Sequence, residues 1–96
     1  MFKDLDPILH SQLRLSIMSM LITVNEADFN FIKESTRATS GNISIQIKKL
    51  QDAGYIKVEK SFKNNYPNTS VSITKKGVEA FETYVRNLHG YIHPGK

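Results

Sequence analysis

The sequence predicts a mainly α domain completed by one small β-hairpin, an α+β arrangement in the order α-α-α-β-β-α. Three observations carry this reading. Apolar residues recur at helical spacing in four separate stretches. Two shorter runs, "YIKVEKSF" and "TSVSIT", alternate at strand spacing around the Asn-rich turn "KNNYPN". Capping and stop residues stand where the periodic stretches begin and end.

The opening stretch "LDPILHSQLRLSIMSMLITV" contains two helix starts. Asp6 followed by Pro7 suits a first short turn. Ser11 offers the cap of a main helix near 11–24. In that helix Leu13, Ile17, Met20, Leu21 and Val24 share one face, and Leu15, Met18 and Ile22 share the opposite one. A helix apolar on two sides must be covered on two sides. A domain this small is expected to cover one, which leaves the second for a subunit contact. In "NEADFNFIKESTRA", Asp28 can cap a short helix holding Phe29, Ile32 and Phe31.

Within "SGNISIQIKKLQDAGYI", Ile43, Ile45 and Ile47 stand at strand spacing, yet the flanks are those of a helix. Thr39 and Ser40 can cap its first turn, and Gly54 can take the left-handed conformation that ends it. At ~100° per residue Ile43, Ile47 and Leu50 form one apolar stripe. Ile45 falls on the opposite face with Gly41, Lys48 and Asp52, flanked by Ser44 and Lys49. Two short helices joined by the tight loop "STRAT" make a helix-turn-helix, whose second helix is the one that enters a DNA groove. In the hairpin, Ile56, Val58 and Phe62 are read as pointing one way, with Val71 and Ile73 inward. Thr74 caps the last helix, along which Val78, Phe81, Val85, Leu88 and Ile92 line one side, widened by Tyr84 and Tyr91. Pro94 and Gly95 end it.

Ninety-six residues, 40% of them hydrophobic, suffice for one modest core, so a single domain over 1–96 is expected. The chain contains no cysteine, which excludes disulfides, thiolate metal sites and cysteine nucleophiles. The apolar run from Ile17 to Val24 is too short to span a bilayer, so no membrane role and a cytoplasmic location are expected. The net charge of +4 is concentrated in one place. Between residues 33 and 63 seven basic residues face three acidic ones, while the rest of the chain balances six against six. Such clustering points to a polyanion-binding surface rather than a merely solvated face.

The segments "LDPILHSQLRLSIMSML", "TSGNISIQIKKLQDAGYIKVEKSF" and "PNTSVSITKKGVEAFETYV" together resemble the winged helix-turn-helix transcriptional regulators of the MarR/ArsR-like group. The likeness is greatest to short, stand-alone winged helix DNA-binding domain proteins. Leu50, Ala53, Gly54 and Tyr55 match the "L-x-x-A-G-Y" end of the family's recognition helix. Thr74 and Gly77 match the "T-x-x-G" start of its last helix. The resemblance implies a dimeric, sequence-specific regulator of transcription that binds double-stranded DNA, with helix 39–53 in the major groove and a wing at 62–69 on the backbone or minor groove.

The resemblance places Thr39, Ser40, Asn42, Ser44, Ile45, Lys48 and Lys49 at the DNA. Ser and Asn can bond phosphates or base edges, Lys48 can reach a guanine edge or a phosphate, and Ile45 can pack on thymine methyls. Lys63, Asn64 and Asn65 at the hairpin tip are read as lying along the backbone or minor groove, and Arg37 before the recognition helix as a phosphate clamp. Lys57 and Lys60 are not assigned to the site, because charges on small hairpins are commonly only solvated. The dimer contact is expected from Leu15, Met18, Ile22, Tyr84, Leu88, Tyr91 and Ile92.

His89 and His93 are spaced i, i+4, which permits metal binding. With no carboxylate or cysteine beside them in sequence, they are read as structural or solvated, and no metal or cofactor is expected. His10 is read as a helix-packing residue. No nucleophile–base–acid set and no phosphate-cradling glycine loop is visible, so no enzyme is expected. The competing reading is a winged-helix module for protein or RNA without operator specificity, since fold alone does not fix function. A small-molecule effector is not legible in the sequence.

Overall fold

The computed structural model describes residues 2–95. The chain runs α1 (Gln12–Val24), β1 (Glu26–Asp28), α2 (Phe29–Thr36), α3 (Ser40–Asp52), β2 (Ile56–Lys63), β3 (Tyr66–Ile73) and α4 (Lys75–Ile92). The three strands form one antiparallel sheet in the order β1-β3-β2. The mainly helical fold with a hairpin between α3 and α4 is the one the sequence predicts.

Local chemistry explains most of the boundaries. Before α1, Asp6 closes a turn by accepting the Ile8 amide on its carboxylate at 2.9 Å and the His10 amide on its carbonyl at 2.9 Å. Thr39 Oγ1 accepts the Asn42 amide at 3.1 Å and so starts α3. At the other end Tyr55 N donates to Leu50 O and Gly54 N to Gln51 O, with Gly54 at φ +82°. These paired bonds satisfy the last carbonyls of the helix, and the left-handed φ costs glycine little. Thr74 Oγ1 caps α4 by accepting Gly77 N at 3.0 Å, and it donates to Gly54 O at 2.7 Å. Thr74 N also donates to Tyr55 O at 3.1 Å. The "A-G-Y" and "T-x-x-G" motifs are therefore the two halves of one joint between the end of α3 and the start of α4.

The core consists of Leu9, Ile17, Met18, Leu21, Ala27, Ile32, Ile43, Ile47, Leu50, Ile56, Val71 and Tyr84. Burying each large aliphatic side chain contributes roughly 1.5–3 kcal/mol. The α3 stripe of Ile43, Ile47 and Leu50 is buried as predicted, and Ile45 is 56% exposed.

Several expectations are corrected. Asp28 does not cap α2 with its side chain; it ends the short strand β1, and its carboxylate accepts from Asn68 Nδ2 at 3.4 Å. Three residues are too few to show strand alternation, and β1 is held by pairing Ala27 with the distant Val71. The hairpin turn is shorter than the stretch "KNNYPN": β2 reaches Lys63 and β3 begins at Tyr66. Asn64 and Asn65 alone make the turn, at φ +53° and +67°. Asparagine tolerates this left-handed pair, which matches the twist of a two-residue hairpin. Pro67 fits in β3 because it pairs with Phe62, one step from the closing pair Lys63 and Tyr66, where its nitrogen points away from β2.

Phe62 shares the inward register of Val58 but lies beyond the helices and is 78% exposed. Two residues assigned to a subunit contact, Met18 and Tyr84, lie in the chain's own core. The reason is that α1 packs against α2, α3, α4, β1 and β3, so Met18 on its second apolar face finds cover within one chain, while Leu15 and Ile22 stay half-buried and Val24 is exposed. On α4 the buried line runs through Gly77 and Tyr84, with Phe81 and Leu88 partly buried, and Val85 and Ile92 are left exposed.

His10 Nδ1 lies 3.0 Å from the Tyr84 hydroxyl and so ties the turn before α1 to α4. The Tyr55 hydroxyl donates to the Asp6 carboxylate. Burial first, then that bond and the negative charge of Asp6, push the Tyr55 phenol from its ordinary 10.0 up to about 12. The folded chain thus keeps a proton that the unfolded chain loses first. The resulting stabilisation is complete below pH 10 and is lost as pH rises towards 12. An absorbance titration should show a phenolate step near pH 12, and Tyr55→Phe should remove that step.

Candidate nucleic-acid interface

The turn between α2 and α3 sets the position of the candidate reading helix. Arg37 ends α2 in the left-handed conformation at φ +58°, with its side chain exposed. Two residues later Thr39 opens α3, its hydroxyl engaged in the cap. From there the buried stripe of α3 sits on the core, and Ser40, Gly41, Asn42, Ser44, Ile45, Lys48 and Lys49 are all exposed.

This face is partly ordered by contacts along it. Gln46 Nε2 donates to Asn42 Oδ1 at 2.9 Å, and Gln46 Oε1 accepts from Arg14 Nη1 of α1 at 2.6 Å. Arg14 also donates to the carbonyls of Ile8 and Pro7. Asn42 is thereby held through Gln46 and Arg14 to the turn before α1. Lys48 Nζ lies 3.1 Å from Asp52 Oδ1, with both side chains largely exposed. Such a pair contributes little to stability and releases its lysine at low cost.

The hairpin stands beside α3. A cleft of about 340 Å³ between them is lined by Phe29, Ser44, Ile47, Lys48, Gln51, Val58, Lys60 and Thr69. It brings Ser44 and Lys48 together with Lys60, which the sequence reading left out. The signal for Lys60 was available, because alternation places it two residues beyond Val58 on the face turned to α3. Lys57 is on the other face and pairs with Glu59 at 3.3 Å. Lys63, Asn64 and Asn65 are exposed at the tip, beyond the cleft. Gln46 and Arg14 were missed, and no sequence signal marks a bond between residues 32 positions apart.

Leu15, Ile22 and Leu88 are half-buried, and Tyr91 and Ile92 are exposed. Leu15 lines an open groove with Met20, Val24 and Phe31 along the outer side of α1 and α2. The rings of His89 and His93 lie 4.6 Å apart. Among the described residues no group of three or more His, Cys, Asp or Glu is placed to hold a metal ion. Among the same residues no helix is long and apolar enough to cross a membrane.

Comparison with known proteins agrees with this fold. The profile of the winged helix DNA-binding domain family matches residues 13–92. An uncharacterised protein of Methanocaldococcus jannaschii is 33% identical over 81 residues, which cover 84% of this chain and 88% of the relative. The solved structure of a transcriptional regulator homologue from Pyrococcus horikoshii superposes with a TM-score of 0.83 at 32% identity, covering 88% of this chain and 84% of that one. A mutant MarR from E. coli, solved in complex with operator DNA, shares the fold at a TM-score of 0.71 and 14% identity, covering 91% of this chain and 61% of that one. The chain belongs to the winged helix DNA-binding domain family.

Proposed function

We propose that this protein is a homodimeric transcriptional regulator that binds double-stranded DNA at specific sequences. The observation that carries the reading is the meeting of two elements at one cleft. The uncovered polar and basic face of α3 stands beside a hairpin whose Lys60 faces the same space as Ser44 and Lys48. In this reading α3 lies in the major groove, where Ser40, Asn42, Ser44, Ile45 and Lys48 meet base edges and nearby phosphates. Thr39 and Lys49 flank that set. Arg37 clamps the backbone at the entrance to α3, and Lys63, Asn64 and Asn65 follow the backbone from the wing. The solved complex of the MarR mutant with operator DNA supports the reading by likeness of fold.

The test is duplex affinity across a salt series. Several phosphate contacts should give a steep linear fall of log affinity with log salt, about 0.9 per contact. A flat or absent dependence on duplex, beside tight binding to RNA or to a protein partner, would favour the module reading.

The dimer uses the apolar surface that the chain leaves open: the groove of Leu15, Val24 and Phe31, and the exposed Val85, Tyr91 and Ile92 of α4. Ile22 and Leu88, half-buried at the edges, contribute what remains accessible. Two copies related by a twofold axis would cover these surfaces reciprocally. Light scattering at micromolar concentration should give the dimer mass, and Leu15→Glu or Ile92→Glu should shift it towards the monomer. A monomer mass for the unaltered chain would remove the dimer from the proposal. Met18→Glu is unsuitable for this purpose, because Met18 is fully buried in the core.

A further inference from the structure

Phe62 is the most exposed large hydrophobic side chain among the described residues, at 78%. It is paired across the hairpin with Pro67, which is also exposed. Strand alternation places this apolar pair on the face of the sheet that carries Val58 and Lys60, the face turned towards α3. The acidic residues of the sheet have the other register. Glu26 and Glu59 stand opposite Ser72 and Ser70, where Glu26 accepts from Ser70 and Glu59 pairs with Lys57. The face that carries Phe62 thus holds one cation, Lys60, and no acid, while Glu26, Asp28 and Glu59 have the other register and line a cleft that Phe62 borders from its edge.

We propose that Phe62 is an apolar wedge that enters the minor groove and packs on a base step next to the major groove read by α3. The inference rests on the DNA-binding reading above and adds a contact that α3 does not make. Reach supports it. Phe62 lies four residues beyond Val58, about 13 Å along the strand at ~3.3 Å per residue. The minor groove is half a helical turn from the major groove, about 17 Å. Charge supports it as well. Lys60 lies two residues before the ring on the same face, where it can meet a phosphate beside the groove, and Lys63 follows the ring at the tip with the opposite register. Apolar side chains placed this way partly unstack a base step, and the contact tolerates many sequences.

The chain contains no tryptophan, so Phe62→Trp introduces a single reporter. The probe is a fluorescein-labelled mixed-sequence duplex of ~30 base pairs, about three helical turns. Anisotropy measures binding, and tryptophan emission measures stacking. The wild type should bind, and emission of the Phe62→Trp variant should be strongly quenched on saturation. Phe62→Ala should keep its fold by circular dichroism and lose about tenfold in affinity, with an unchanged salt slope because no charge is removed. If the wild type fails to bind the duplex at any salt, the DNA-binding reading falls and the wedge with it. If the wild type binds but emission is unquenched and Phe62→Ala is as tight as the parent, the wedge alone is overturned. A lower solution mass for Phe62→Ala without DNA also overturns it, by assigning the ring to a contact between copies.

Discussion

Replacing Gly77 by alanine should destabilise the fold by about 3 kcal/mol or more, at or above the upper end of the usual overpacking range. A Cβ at Gly77 would lie 2.1 Å from Tyr55 O and 3.0 Å from Ile73 Cγ1. The first neighbour is backbone, and it cannot swing aside freely because it accepts Thr74 N at 3.1 Å. Relief would have to come from moving α4 off the α3–β2 turn, which also breaks the Thr74 cap and its bond to Gly54 O. For a domain of this size the melting temperature should fall by ~12 °C or more. Gly41→Ala is the matched control. Nothing lies within 4 Å of a Cβ there, so the melting temperature should hold or rise. Thermal melts by circular dichroism compare the two, and equal melting temperatures would refute the close-packed joint.

Lys48→Ala should lower affinity for a selected duplex by about 5- to 150-fold, the range of a lost base contact, and relax the preference at one position. Lys63→Ala should act differently. At the wing tip it meets phosphates, so its loss should weaken all sequences alike and flatten the salt slope by about one unit. Asp52→Ala supplies the opposite sign. It removes the carboxylate 3.1 Å from Lys48 Nζ and frees the lysine, so affinity should rise about two- to fivefold, in keeping with an exposed pair. Titrations of the three variants against matched and single-mismatch duplexes separate these effects. Identical losses for Lys48→Ala and Lys63→Ala on every duplex would argue against α3 as the reading helix.

Features set by neighbours in sequence were legible in it. Ser11, Thr39 and Thr74 mark helix starts because a cap is a bond to a residue three positions on. Gly54 marks a helix end because the required φ is local. Ile45 was identified as an exposed apolar residue because helical spacing alone places it opposite Ile43, Ile47 and Leu50.

Features set by distant partners were not legible. Strand β1 exists through pairing with residues 70–72. Met18 and Tyr84 are inside because α4 returns to the first helix, which an amphipathic pattern does not show. Phe62 shows a third case. Its register was right, but the depth of the core is a tertiary property, and the strand outruns it. Of the candidate interface, the exposure of the α3 face and of the hairpin tip was legible residue by residue. The cleft that adds Lys60, and the Arg14–Gln46–Asn42 link that orders the face, needed the folded chain.

Selection of bound duplexes from a random pool bears on sequence-specific binding by a dimer without assuming any site in advance. Successive rounds with the unaltered protein should enrich a site made of two inverted half-sites, one helical turn or a whole multiple of turns apart, ~10 base pairs per turn. Repeating the selection with Lys48→Ala should relax the preference at one position of each half-site. A pool that stays random while the protein remains folded and binds every duplex equally would contradict the reading, and would leave a winged helix that binds without operator specificity.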